Sequence, residues 1–160
     1  GFKSNSFPML TEKLKGFRNY ELTTISTFSS VGKSPVAFDI AADSVAQGYK
    51  PGLIFLEEMP KKTLFRAEAW KLGVHPNKYK FNPFNCGKTK EEIEEAWVWA
   101  NKNFRVFNHF GGIKTSKLME KIRYLVFSQG CNPIIFDHIS LAISSREDSV
   151  NDTKELDIAM

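Results

Sequence analysis

Gly32, Lys33 and Ser34 lie between an apolar run and a helical pattern, the setting in which a chain cradles phosphate. Such a site needs backbone N–H groups aimed at the anion, a helix N-terminus behind it, a lysine for the outer phosphates and a hydroxyl for magnesium. Ser29, Ser30, Val31 and Gly32 offer the amides, Lys33 the ammonium and Ser34 the hydroxyl. The pattern GxxxxGK[ST] is met except at its first glycine, where Thr27 stands. A phosphate loop becomes catalytic when an acid holds the metal and a second group orients the attacking water. Asp137, closing the run Ile134-Ile135-Phe136, is placed to join Ser34 in a magnesium site. Glu57 and Glu58 close the run Leu53-Ile54-Phe55-Leu56. Side chains alternate along a strand, so only one of this pair can point into a given site, and the residues alone leave open which.

The elements that must carry these groups follow from periodicity. A β-branched apolar stretch at Glu21–Thr27 is expected as a strand, followed by the loop and a helix over Ser34–Gln47, where Val36, Ala37, Ile40, Ala41 and Val45 recur at helical spacing. Gly52–Glu57 is a continuous apolar run suited to a strand buried on both faces, and Pro60–Leu72 a helix stopped by Gly73. Val74–Lys88 shows no period and is expected to be irregular. Thr89–Asn101 is a helix with Thr89 and Glu92 at capping-box spacing. Phe104–Asn108 reads as a strand, Lys114–Gln129 as a helix ended by Gly130, and Pro133–Asp137 as a last buried strand. A capped helix from Asp152 or Thr153 would follow. Alternating strands and helices imply an α/β fold, a parallel sheet with helices on both faces and ligands at the carboxyl ends of the strands.

Composition bounds the partners. The 160 residues, 42% hydrophobic and 25% charged, suffice for one domain with a sizeable core. No apolar run approaches the roughly 18 residues that span a bilayer, and no secretory segment is evident, so a soluble intracellular protein is expected. A net charge of +4 permits a polyanionic partner without requiring one. Cys86 and Cys131 are isolated, and reduced structural thiols are expected. His75 and His109 read as exposed, His138 as a hydrogen-bonded structural residue, Trp97 as core, and Lys114, Lys117 and Lys121 as a solvated helix face.

Taken together, these residues resemble the ATPase core of DnaB-like hexameric replicative helicases, particularly phage primase-helicases and the Twinkle type. The likeness covers nearly the whole chain. Phe7–Leu10, Leu14–Arg18 and Glu21–Thr23 resemble the family's lead-in, Leu53–Pro60 (LIFLEEMP) its catalytic-glutamate segment, and Cys131–Ser140 (CNPIIFDHIS) its magnesium-site strand. The resemblance implies a RecA-like P-loop fold, incomplete at the C-terminus, with residues 1–160 as one partial domain and 1–20 as lead-in. It implies ATP or another nucleoside triphosphate as substrate, Mg2+ as cofactor, single-stranded DNA as partner, self-assembly into a ring, in all expectation a hexamer, and no membrane. Lys33 and Glu58 are the catalytic residues it implies, on alignment at Glu-Met-Pro; a phage-type Leu-Glu-Glu alignment leaves Glu57 possible. Pro35 is less usual, because proline biases Ser34 away from helical geometry, although a helix's first turn tolerates it. Ser144–Asp152 matches a DNA-facing loop by position and carries Arg146 as its single cation. The implied location is the cytoplasm, that of a host for a phage protein, or the mitochondrial matrix for a Twinkle-like one. Two other readings share the same loop: a RecA-like recombination or signalling ATPase, and a nucleotide-binding assembly module without turnover.

Overall fold

The computed structural model describes residues 1–26 and 32–137. Three parallel strands, β1 (Gly52–Phe55), β2 (Arg105–Val106) and β3 (Ile134–Asp137), form a sheet in the order β2-β1-β3. β1 is central and buried at all its residues, as a continuous apolar run requires. Gly52 is needed there: a Cβ on it would come within 2.7 Å of Ile134 Cδ1 on the neighbouring strand. Alternate residues of β1, with Leu56 just after it, feed two cores. Leu53 and Phe55 pack with Phe38, Ala41, Ala67 and Ala100 on one face, while Ile54 and Leu56 pack with Ile113, Leu118 and Leu125 on the other.

Helix α2 (Lys33–Ala46) carries Phe38 and Ala41 onto the first face; α3 (Pro60–Leu72) and α5 (Lys90–Asn103) cover it further. α6 (Thr115–Arg123), continued by a π-helical turn at Tyr124–Ser128, covers the second. The expected layers are therefore present. Pro60 at the first turn of α3 and left-handed Gly73 after its last one bound that helix as its sequence predicts. Thr89 and Glu92 form the anticipated capping box on α5.

Several expectations are corrected. Residues 21–26 form no strand: they are exposed and line, with β3, a groove of about 440 Å³ reaching from Phe2 and Phe17 to Lys33 and Asp137. Without a hydrogen-bonded neighbour, β-branched residues do not make a strand by themselves. β3 is half-buried rather than buried, because it lies at the edge of the described sheet. β2 is only two residues long, Arg105–Val106, within the expected Phe104–Asn108. Val74–Lys88, expected to be irregular, contains α4 (Pro76–Phe81) and a 3-10 turn (Pro83–Asn85). Each is started by proline and a side-chain cap, His75 accepting from the Asn77 amide and Asn82 from that of Phe84, in pieces too short to show a period. Trp97 is 56% exposed; Trp99 instead stacks on Trp70 and meets Phe104 edge-on.

The lead-in holds a short helix, α1 (Pro8–Leu14), and clips onto α2. Phe2 and Phe17 exchange backbone hydrogen bonds and stack at 5.0 Å. The Ser4 hydroxyl and the Ser6 amide and hydroxyl all donate to the buried carboxylate of Asp43.

Candidate active site

Register brings the acids to one sheet edge. β1 and β3 run parallel with Phe55 opposite Asp137, and the Leu56 amide donates to the Asp137 carbonyl at 2.7 Å. The carboxyl ends of both strands thus lie side by side, with Glu57 and Glu58 leaving one and Asp137 closing the other.

α2 begins at this edge. Gly32 precedes it with φ of +85°, a left-handed conformation that glycine adopts without a Cβ penalty. Lys33 and Ser34 are the first helical residues, and Pro35 sits within the first turn, where its missing N–H would have had no helical partner. Proline therefore leaves Ser34 helical. From there the Ser34 hydroxyl donates directly to Asp137 Oδ2, joining residues 103 positions apart. Hydroxyl and carboxylate are hard oxygen donors, the kind magnesium takes from a protein when phosphate and water complete its shell. Among the described residues no group of three or more His, Cys, Asp or Glu could hold a metal by itself, so those residues offer this corner and not a full cage. Lys33 lies on the groove beside Asp137.

The Glu58 corner is built differently. Its side chain is 5% exposed, accepting from Thr63 Oγ1 at 2.9 Å and pairing with Arg66 Nη2 at 2.9 Å and Lys62 Nζ at 3.0 Å. Burial alone would raise its pKa, but Arg66, Lys62 and Thr63 outweigh burial and hold the carboxyl below its ordinary range. Arg66 is 13% exposed, and its guanidinium lies 5.6 Å from the ring centroid of Phe38 on α2. Glu57, the preceding residue, is exposed. Arg66 is not among the residues that the motifs point to. Its signal was the run of cations at positions 62 and 66, one and two turns beyond Glu58 on the exit helix.

The remaining expected site residues divide simply. Ser29, Ser30, Val31, His138 and Arg146 lie outside the described residues. Cys86 and Cys131 are both free thiols, and burial pushes the Cys131 thiol up. No described helix is long and apolar enough to cross a membrane.

A parallel α/β sheet with a helix starting at a Gly-Lys-Ser and an acid at the adjacent strand end has the parts of a phosphate-loop nucleotide-binding domain. Residues 1–159 match the family described as DnaB-like helicase C terminal domain, and the chain belongs to that family. It is also 26% identical over 149 residues to a DNA helicase/primase of Enterobacteria phage T3, an alignment covering 88% of this chain and 25% of that protein. The chain thus spans about a quarter of the length of that relative.

Proposed function

We propose that this domain binds and hydrolyses a nucleoside triphosphate, ATP in the first instance, to drive a ring of such domains along single-stranded DNA during replication. The observation that carries the reading is the Ser34–Asp137 bond, which joins the residue after the phosphate-loop lysine to the acid at the end of β3. Membership of the DnaB-like family and the likeness to a phage helicase/primase supply the direction of the chemistry.

In this scheme the amides of residues 29–34 cradle the phosphates and the Lys33 ammonium neutralises the outer ones. Ser34 and Asp137 hold Mg2+, which when bound offsets the charge that develops on the phosphate oxygens. A glutamate at the end of β1 orients the attacking water. Glu58 was the expected residue, but its carboxylate already accepts from three donors, and a carboxylate has about four acceptor positions. We take the exposed carboxylate of Glu57 for this role, which a phage-type alignment on Leu-Glu-Glu leaves possible. Arg146 is proposed, on position alone, as a weak contact to DNA. The site of action is the cytoplasm, that of the host if the gene belongs to a phage.

Hydrolysis with and without single-stranded DNA, read beside unwinding of a forked duplex by the full-length protein, tests this. DNA-stimulated hydrolysis with unwinding is expected. Hydrolysis without unwinding would move the protein to recombination or signalling, and binding without turnover would make it an assembly module.

A further inference from the structure

Arg66 has no part in the scheme above, yet its side chain is only 13% exposed and is held on two sides. Its Nη2 bonds Glu58, its guanidinium faces the Phe38 ring, and its Nη1 is buried without a hydrogen-bond partner. A buried guanidinium with an unsatisfied donor is unfavourable unless its other contacts do something a simpler side chain could not. Lys62 already neutralises Glu58, so charge balance alone does not require Arg66. What only Arg66 does is bridge two elements: Glu58, at the end of β1, and Phe38, fully buried on α2. Phe38 is one helical turn beyond Ser34, so ring and hydroxyl share a side of α2. Contacts therefore run from Asp137 through Ser34 and α2 to Phe38, then through Arg66 to Glu58, the residue next to Glu57.

From this we infer that Arg66 and Glu58 form a clamp that positions the Glu57 carboxylate relative to the Ser34–Asp137 corner, Arg66 acting as a positioning residue and Glu58 as its anchor. The inference rests on the hydrolytic reading of the site. Asp39, one residue past Phe38, strengthens it: burial first and Asp43 second push that carboxyl up, while Arg66 opposes them, so Arg66 also acts on the charge of α2. A fork that stacks and bonds at once is not replaced by lysine without loss.

The test is a double-mutant cycle of Arg66→Gln and Glu58→Gln, run on the assembled protein with single-stranded DNA beside Glu57→Gln. Nucleotide affinity, kcat, KM and Tm are measured for each. Each clamp variant is expected to lower kcat by roughly ten- to a hundredfold, the scale of a small misplacement, with KM and nucleotide affinity within about twofold of wild type. The double variant is expected to be no slower than the worse single one, because both break the same contact. Arg66→Lys should recover part of kcat, and Arg66→Met, which keeps the packing on Phe38, serves where Arg66→Gln fails to fold. Glu58→Gln as inactive as Glu57→Gln would make Glu58 itself the water-orienting acid and overturn the clamp. Wild-type kcat in a folded Arg66→Gln or Arg66→Met variant would overturn it too. A wild-type protein without turnover would instead remove the hydrolytic reading on which the clamp rests.

Discussion

The two strand ends that carry acids differ in one respect, their place in the sheet, and most of their chemistry follows from it. β3 lies at the edge of the described sheet and is half-buried, so Asp137 meets the Ser34 hydroxyl beside an open groove, where a metal and phosphates have room. β1 is central and buried, so the chain leaving it at Glu58 turns straight under α3 and is tied down by Arg66, Lys62 and Thr63. An acid at an edge is available to a ligand, whereas one beneath a helix is taken up by that helix's side chains. A carboxylate is thus left facing a groove in one place and tied to a helix in the other.

The largest effect that would sharpen this contrast comes from Glu57→Gln. Hydrolysis should fall by at least about a hundredfold while nucleotide binding persists, as loss of a water-orienting group predicts. Steady-state turnover beside equilibrium binding checks it, and normal hydrolysis would break the contrast by removing the exposed acid from the mechanism. Asp137→Asn should come next, lowering turnover by about tenfold or more and raising the Mg2+ concentration needed for half-maximal rate, since a neutral amide binds the cation less well. A magnesium titration of the rate reads this directly.

A smaller effect concerns two buried glutamates of opposite character. Glu58, paired with cations, has its pKa lowered from 4.5, so its stabilisation is present above that value and lost as pH falls through the folded pKa. Glu68 is 3% exposed, with the Tyr79 hydroxyl as its hydrogen-bond donor; burial raises its pKa from 4.5 despite that bond. Its protonated form is therefore favoured on folding, and the stability this brings is present below the unfolded pKa and lost as pH rises through the folded one. Glu68→Gln keeps an acceptor for Tyr79 and removes the ionisation, so the fall in Tm between about pH 5 and pH 8 should shrink by a few degrees. Glu58→Gln should instead lower Tm near neutral pH and lose less of it in acid. Thermal melts across pH separate the two.

The sequence revealed the middle of the sheet better than its margins. Leu53–Phe55 is apolar at every position because β1 is covered on both faces, and that pattern is visible in a single chain. The margins depend on neighbours. Residues 21–26 have the side chains of a strand without the pairing, and β2 keeps only Arg105 and Val106 of an expected five-residue strand. The corner of Ser34 and Asp137 was legible because each ends a recognisable pattern, a phosphate loop and an apolar run. The clamp was not, since nothing in the spacing of Phe38, Glu58 and Arg66 says that α2 and α3 lie on the same face of β1. Asp43, bonded to Ser4 and Ser6, was hidden in the same way, its partners lying 39 and 37 residues away.

The central claim is that Lys33, at the start of α2, holds the phosphates of a nucleotide whose metal sits on Ser34 and Asp137. Calorimetric titration of wild type and Lys33→Ala with ATP and Mg2+ tests it most directly. Saturable binding by the wild type and none detectable by a folded Lys33→Ala variant is the expected result; equal affinity in the two would contradict it.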